Sequence, residues 1–311
     1  MAFQVQRARR EKMKAVVGFI GCSGSGKTAG ALLTAYGMMK EAHPHIDDDE
    51  IWAKIGVVDT EHGRAKLYAD LKFDDTLIGQ FLHVDFDPPY STARYNEAVI
   101  ALKGAGCEVI IVDSLSHNWQ GEGGIVETHG QMAGNSFQNW GKLAPETTQL
   151  IKTLTRNDVH ILTTLRTKQE YVVESNSDGK MAPRKVGTRP VQKDEMEYEF
   201  MLNFNIGIDH VAETSKDNTR MFEGEQIKIT PEVGHKLYQW LEKGVDVKAE
   251  EAAERTSLIN EIKDIALHSI EAQKKVEEFE FKANMKLDDF NIRLANAALD
   301  RLQTFKSKED K

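Results

Sequence analysis

A short apolar run at residues 15–21, AVVGFIG, passes directly into a glycine-rich stretch, GCSGSGKT, at residues 21–28. The β-branched residues and closing glycine of the run predict a buried strand, and the residues from Thr28 to Lys40 predict a helix. The glycines between these elements allow a tight turn in which successive backbone N–H groups point inward. The order strand, turn, helix favours an α/β fold.

The glycine-rich stretch also fits the pattern G-x-x-x-x-G-K-[ST], which binds nucleotide phosphates when it follows a strand and opens a helix. The partial positive charge of the helix N-terminus would favour those phosphates. Lys27 is expected to contact the β- and γ-phosphates of ATP and to act in catalysis, and Thr28 to hold Mg²⁺ through its hydroxyl. The predicted ATP-binding residues of this stretch are Gly21, Cys22, Ser23, Gly24, Ser25, Gly26, Lys27 and Thr28.

Further apolar runs predict the rest of the core. Strands are expected in KIGVVDTE (54–61), FLHVDF (81–86), CEVIIVDSLS (107–116) and VHILTTLR (159–166), with helices near residues 91–103 and 145–156. This alternation predicts a mostly parallel sheet flanked by helices. Shorter strands are expected in EFMLNFNIGI, HVAETS and TRMFEG, between residues 199 and 224.

The last part of the chain differs in composition, because residues 245–311 contain neither glycine nor proline. Its apolar residues recur at helical spacing: Leu258, Ile262, Ile265, Ala266, Phe290, Leu294, Ala298 and Leu302. We therefore expect a basic N-terminal segment (1–14), an ATPase core (15–244) and a helical C-terminal module (245–311).

Carboxylates stand where two of the predicted strands end, which is where parallel sheets bind ligands. Asp113 closes VIIVD and could orient Mg²⁺ together with Thr28, with Ser114 as a hydrogen-bond partner. Glu61 closes VVDTE and could take a proton from an attacking water. Asp59 is the alternative for that task, and strand alternation would put Asp59 and Glu61 on one face.

The run VHILTTLR ends in Thr163, Thr164 and Arg166. A polar side chain at this point could sense the γ-phosphate and pass that state to the segment that follows. We predict that Thr164 contributes to the ATP site.

Net charge, the length of the apolar runs and the cysteine content argue against several classes of protein. The formal net charge of −9 argues against a surface coated with basic residues for duplex DNA. No apolar run is long enough for a membrane span, and the N-terminus lacks the apolar stretch of a secretory signal, so a cytoplasmic protein without membrane contact is expected. Cys22 and Cys107 fit no metal-ligand spacing, so neither a disulfide nor zinc is expected.

Two segments are candidates for binding unpaired DNA bases. Residues 117–145 contain six glycines and the aromatic residues Trp119, Phe137 and Trp140. These rings could stack on bases, although packing in the core would account for them equally well. Residues 166–193 hold seven basic and three acidic residues, which predicts a mobile, net-positive hairpin or an ordinary solvated loop.

Taken in order, the motifs GCSGSGKT, VVDTEHG, VIIVDSLS and ILTTLR resemble those of the RecA recombinase superfamily. The closer resemblance is to phage-encoded, single-domain RecA-like ATPases of the AAA-domain type, including the Sak-type single-strand annealing proteins. It is carried by DTEHGRAKLYAD, DSLSHNWQGEGG, RPVQKDEMEYEF and ETSKDNTRMFEG. The similar region spans roughly residues 12–244.

This resemblance implies a RecA-like P-loop NTPase core that uses ATP and Mg²⁺. Glu61 would activate water, Asp113 would be the Walker B carboxylate, and the two central segments would bind single-stranded DNA. The subunits would form a ring or filament in which basic residues reach the neighbour's ATP. By position these are Lys216 and Arg220, with Lys193 as a competitor.

The resemblance thus implies an ATPase of phage recombination or annealing that works in the host cytoplasm. Thr163 and Thr164 stand where recombinases carry Asn-Gln, and the net charge is acidic, which argues against strand exchange more than against ATP hydrolysis. Two other classes stay open: a nucleotide-dependent regulatory or assembly module that binds protein partners, and a ring helicase or motor. A small-molecule kinase is disfavoured, since no arginine-rich lid is present.

Overall fold

A computed structural model describes residue 5 and residues 7–175, 181–194 and 196–306 of the chain. The chain divides into two compact units, one formed by Met13–Glu242 and one formed by the residues before and after it. The domain boundaries expected from the sequence, after residues 14 and 244, stay a prediction.

The unit Met13–Glu242 alternates strands and helices. Its strands are β1 (Val16–Gly21), β2 (Ile55–Asp59), β3 (Lys72–Phe73), β4 (Thr76–Leu77), β5 (Leu82–Asp85), β6 (Val109–Asp113), β7 (His160–Ser175), β8 (Met181–Pro190), β9 (Leu202–Ile206), β10 (Val211–Asp217) and β11 (Ile227–Lys228). Its helices are α1 (Lys27–Ala42), α2 (Asp48–Trp52), α3 (Thr92–Gly104), α4 (Ser116–Gln120), α5 (Ile125–Gln131), α6 (Ser136–Thr155) and α7 (Pro231–Leu241), with 3₁₀ turns at Arg64–Tyr68 and Met196–Glu199.

The main sheet has the strand order β11-β10-β9-β1-β7-β6-β2-β5. Neighbouring strands from β9 to β5 run parallel, whereas β10 is antiparallel to both β9 and β11. The predicted α/β P-loop NTPase fold, with its mostly parallel sheet and flanking helices, is confirmed.

Helices cover both faces of this sheet, which explains the continuous apolar runs of its strands. Side chains of β1 alternate between two buried clusters: Val17 and Phe19 belong to the cluster with α1 and α7, and Val16 and Ile20 to the cluster with α3 and α6. Burying each large apolar side chain contributes about 1.5–3 kcal/mol. The resulting rigid sheet fixes the positions of its carboxyl ends.

Strand β7 is the longest strand among the described residues and pairs with three others: β1, β6 and β8. It is parallel to β1 as far as the pair Arg166↔Gly21, and it is antiparallel to β8 from the pair Thr167↔Pro190 onward. The basic segment 166–193 therefore contains a β-hairpin, and its residues 176–180 lie outside the described residues.

One predicted strand is wrong, and one predicted helix begins earlier than expected. The segment TRMFEG is not a strand, because the carboxylate of Asp217 accepts hydrogen bonds from the backbone N–H groups of Thr219, Arg220 and Phe222 and holds a turn there. The helix expected from Pro145 begins at Ser136, where the Asn135 side chain accepts a hydrogen bond from the Gln138 N–H. Pro145 therefore lies inside the helix and not at its start.

The second unit has a small core of its own. Its helices are α8 (Val247–His268), α9 (Ile270–Ala283) and α10 (Ile292–Lys306). Asp246 and Ser269 cap α8 and α9 through their side chains. The predicted apolar positions all belong to its core or pack against it, so the helical C-terminal module is confirmed. No helix among the described residues has the length and apolar character that a membrane span requires.

One buried histidine makes the stability of the larger unit depend on pH. His160 accepts a hydrogen bond from the Ala15 N–H at 3.0 Å through Nδ1. Burial, and secondly the charge of Lys14, lower its pKa to about 3. The folded chain therefore keeps this ring neutral, whereas the unfolded chain protonates it below about pH 6.5.

We expect the free energy of unfolding to fall as the pH decreases from about 6.5 towards 3, because the unfolded state then binds one more proton. His160→Asn, whose amide oxygen can still accept from Ala15, should lose less stability over this range than the wild-type chain. Urea unfolding at neutral and acidic pH measures this difference. Identical pH dependence in both chains would contradict it.

Candidate nucleotide site

The carboxyl ends of neighbouring parallel strands meet at one edge of the main sheet. The register places Gly21 of β1 opposite Arg166 of β7, and Asp59 of β2 opposite Asp113 of β6. The glycine-rich stretch connects β1 to α1 at this edge. The residues that the sequence singled out separately are thus neighbours in space.

The backbone of the glycine-rich stretch needs its glycines. Gly24 and Gly26 have φ angles of 82° and 91°, in the left-handed region that side chains disfavour. A Cβ at Gly21 would lie 2.5 Å from Ser25 Oγ and 2.6 Å from the Ile206 carbonyl oxygen. The Ser25 hydroxyl is buried and has no hydrogen-bond partner among the described residues, which suits a ligand oxygen.

Lys27 opens α1 and folds back over the loop. Its ammonium donates a hydrogen bond to the Cys22 carbonyl oxygen at 2.7 Å, while the Cys22 side chain is exposed. Burial lowers the pKa of Lys27, and the charges of Asp113 and Glu61 oppose that shift. A cation held inside an anion-binding loop is suited to phosphate.

Asp113 links the loop to two other strands. Its Oδ2 accepts a hydrogen bond from Thr28 Oγ1 at 2.6 Å, and its Oδ1 accepts one from Thr164 Oγ1. Burial raises the pKa of Asp113, and the hydrogen bonds from these two hydroxyl groups offset that rise only in part. The adjacent hydroxyl and carboxylate oxygens of Thr28 and Asp113 are hard ligands of the kind that Mg²⁺ prefers.

Two neighbours of Asp113 differ from expectation. The Ser114 hydroxyl accepts a hydrogen bond from the Ser116 N–H, so Thr164 takes the place expected for Ser114 as partner of Asp113. Thr163 donates to the Val17 carbonyl oxygen at 3.2 Å and points away from the site. Only one threonine of the pair therefore reaches the site.

The two carboxylates after β2 have different surroundings. Asp59 is buried and accepts hydrogen bonds from the N–H groups of Glu61 at 2.6 Å and Ala65 at 2.9 Å. Burial raises the pKa of Asp59, but its bonds from His83 and these N–H groups outweigh burial and lower it. Because β2 ends at Asp59, strand alternation does not extend to Glu61, and only Glu61 lines the cavity beside the loop.

Arg166 holds Glu61 in a bidentate ion pair. Its Nε donates to Glu61 Oε1 at 2.6 Å, and its Nη2 donates to Oε2. Paired in this way, both oxygens of Glu61 are engaged. Sequence reasoning placed both residues at strand ends but missed the pair, because its members are far apart in the chain.

The cavity at the glycine-rich stretch has a volume of about 610 Å³, within the range of small-ligand sites. One part of its wall is polar and includes Lys27, Thr28, Glu61, Asp113 and Arg166. Sequence reasoning missed the apolar part, which includes Leu67, Tyr68, Leu71, Phe73, Ile206 and Ile229. The apolar residues of RAKLYADLKF (64–73) are the sequence feature from which this wall could have been predicted. A polar end and an apolar wall together suit a nucleotide.

The remaining predicted basic residues lie elsewhere. Lys216 donates to the Tyr198 carbonyl oxygen, and Arg220 is exposed with a φ of 60°. Neither lines the cavity at the glycine-rich stretch, and Lys193 lines a separate cavity with Trp119 and Trp140.

A comparison with known protein families is consistent with a nucleotide-binding site. A family model described as AAA domain matches residues 13–222. This match covers more than half of the chain, and the chain belongs to that family. No curated protein gives a significant match. Family and fold together indicate a nucleotide-binding protein of the P-loop ATPase type.

Proposed function

We propose that this chain is a Mg²⁺-dependent ATPase that acts on single-stranded DNA in phage recombination or annealing, as Sak-type proteins do. The carrying observation is the convergence of Lys27, the Thr28–Asp113 pair and Glu61 on one cavity of about 610 Å³. Cations, hard oxygen ligands and a carboxylate are the groups that phosphoryl transfer requires.

Each residue has a role in this proposal. The loop N–H groups and Lys27 bind the phosphates, and Thr28 and Asp113 hold the metal, with Thr164 orienting Asp113. Mg²⁺ would neutralise charge that develops on the phosphate oxygens. Glu61 accepts a proton from the attacking water once the Arg166 ion pair opens.

A cation from a neighbouring subunit completes the site. Lys27 is the buried cation of the loop, and Arg166 is engaged with Glu61. Additional positive charge near the γ-phosphate would stabilise the transition state. Lys216 or Arg220, lying outside the chain's own cavity, could supply it in a ring or filament, with Lys193 as the alternative.

Lys27→Ala is expected to bind ATP at least about tenfold more weakly, because a hydrogen bond to a charged group contributes about 1.5–3 kcal/mol. Lys40→Ala is the matched control, since Lys40 lies on the same helix and pairs with Asp48 at the surface. Titration with a fluorescent ATP analogue measures affinity, and thermal unfolding checks the fold. Wild-type affinity in Lys27→Ala would refute the assignment.

The proposed function as a whole is tested by the ATPase rate with and without single-stranded DNA, with electron microscopy of the same samples. We expect stimulation by DNA in assembled rings or filaments. The alternative, a nucleotide-dependent module that binds protein partners, is favoured by the apolar side chains of Leu267, Ile270 and Phe281 on the helical module, which are 82%, 76% and 88% exposed. Turnover independent of DNA would favour that alternative.

A further inference from the structure

The turn that carries Glu61 has a strained backbone. His62 and Gly63, the two residues that follow Glu61, have φ angles of 59° and 76°, in the left-handed region. Histidine has a Cβ and disfavours this region, so the turn persists only where contacts from its surroundings fix it. Asp59 supplies two such contacts through the N–H groups of Glu61 and Ala65. The position of the Glu61 carboxylate therefore depends on what holds the Asp59 carboxylate in place.

The Asp59 carboxylate needs partners of its own, because its side chain is 0% exposed. It lies opposite Asp113 in the register of β2 and β6, so a second carboxylate is close by. A buried carboxylate requires hydrogen-bond donors or cations around it. Within the described residues, His83 is the one side chain that donates to Asp59, from Nε2 to Oδ2 at 3.2 Å. His83 thus supports the group on which the turn depends.

His83 comes from β5, the strand at one end of the main sheet, and its side chain is 11% exposed. His83 and Asp85 are separated by one residue on β5 and so lie on one face of the strand. His83 Nδ1 is 3.7 Å from Asp85 Oδ1, and Asp85 Oδ2 accepts a hydrogen bond from Lys66 at 2.6 Å. Lys66 belongs to the 3₁₀ turn that follows Glu61. Two side chains of β5 therefore hold this part of the chain.

We propose that His83 is a positioning residue of the nucleotide site, which fixes Asp59 and through it the turn that presents Glu61 to the attacking water. His83 does not line the nucleotide cavity, so it acts through Asp59 without contacting the nucleotide. When Arg166 releases Glu61, the turn keeps this carboxylate at the reacting phosphate. The proposal rests on the proposed function, because it concerns the residue that accepts the proton there.

His83→Ala is expected to bind ATP like the wild-type chain and to hydrolyse saturating ATP about 10²-fold more slowly, because displacing a reacting group by about 1 Å costs about this much. His83→Gln should restore most of the rate, since its amide Nε2 can donate to Asp59. His83→Asn should stay slow, because its shorter side chain does not reach Asp59. Steady-state ATPase rates beside equilibrium binding of ATP measure both quantities.

His43→Ala is the matched control for these variants. His43 is another half-buried histidine whose Nε2 lies 3.0 Å from a carboxylate, that of Glu108, and neither residue lines the nucleotide cavity. We expect the wild-type rate of hydrolysis in His43→Ala. A loss as large as that of His83→Ala would contradict the proposal, because it would show that hydrolysis responds to any such pair.

A double-mutant cycle separates the positioning of Glu61 from a general loss of stability. In the Glu61→Gln background, His83→Ala should slow the residual hydrolysis no further, because the group that His83 positions can no longer accept a proton. A purely structural role predicts that the two losses multiply. Thermal unfolding of every variant sets the assay temperature, and His83→Asn replaces His83→Ala in the cycle if the alanine variant does not fold.

The outcomes separate this proposal from the proposed function. If Glu61→Gln is slow while folded His83→Ala or His83→Asn hydrolyses ATP at the wild-type rate, the role of His83 is wrong and the proposed function stands. The role is also wrong if His83→Gln is as slow as His83→Asn, or if the losses in the double variant multiply. If Glu61→Gln hydrolyses ATP at the wild-type rate, both this proposal and the assignment of Glu61 on which it rests are wrong.

Discussion

Glu61→Gln is expected to bind ATP like the wild-type chain and to hydrolyse it about 10²- to 10⁴-fold more slowly, the usual contribution of a general base. Glutamine keeps the size of the side chain but cannot accept the proton of the attacking water. Single-turnover hydrolysis beside equilibrium binding of ATP separates the two effects.

Asp59→Asn is the control for this prediction. Asp59 holds the turn after β2 through the Glu61 and Ala65 N–H groups, so its replacement should lower thermal stability and displace Glu61. If Asp59→Asn instead abolished hydrolysis in a chain of full stability while Glu61→Gln stayed active, the wrong carboxylate would have been chosen.

Lys216→Ala or Arg220→Ala is expected to retain ATP binding and to lose hydrolysis by about 10³-fold or more, the usual contribution of an inserted cation. Neither residue lines the nucleotide cavity of its own chain. If each acted only within its own chain, its replacement should therefore hardly change the rate of hydrolysis. Lys236→Ala is a matched surface control. ATPase assays under assembly conditions measure the difference.

Mixing such a variant with Glu61→Gln separates action in trans from action in cis. Mixed assemblies contain interfaces with an intact Glu61 on one side and an intact cation on the other, so activity should exceed the sum of the separate samples. Activity no higher than that sum, in samples that demonstrably co-assemble, would rule out a shared site.

Most of what could be predicted from the sequence rests on patterns of residues that are close together in the chain. The glycine-rich stretch is specified by residues adjacent in the chain, since Gly24 and Gly26 must take left-handed backbone angles. The position of Asp113 beside the loop was predictable because this carboxylate directly follows a buried strand, and the carboxyl ends of parallel strands meet at one edge of the sheet. The sheet was predictable because β1, β2 and β6 are nearly continuous apolar runs that end in glycine or aspartate.

Contacts between distant segments could not be predicted from the sequence. No local pattern pairs Arg166 with Glu61 or brings Trp119 against Trp140. The failed strand TRMFEG has a local cause instead, since the carboxylate of Asp217 holds a turn there and outweighs the apolar residues that follow it. Choosing Glu61 over Asp59 likewise depends on where β2 ends, and a residue pattern leaves that boundary open.

The register of β7 has a mechanical consequence. The strand passes from pairing with β1 at Arg166 to pairing with β8 at Thr167, with no intervening loop and no glycine to act as a hinge. Its register shift occurs only at Glu170/Tyr171, farther out than Lys168. A displacement of the hairpin at Lys168 would therefore reach Arg166 through continuous strand backbone, and Arg166 is the residue that pairs with Glu61.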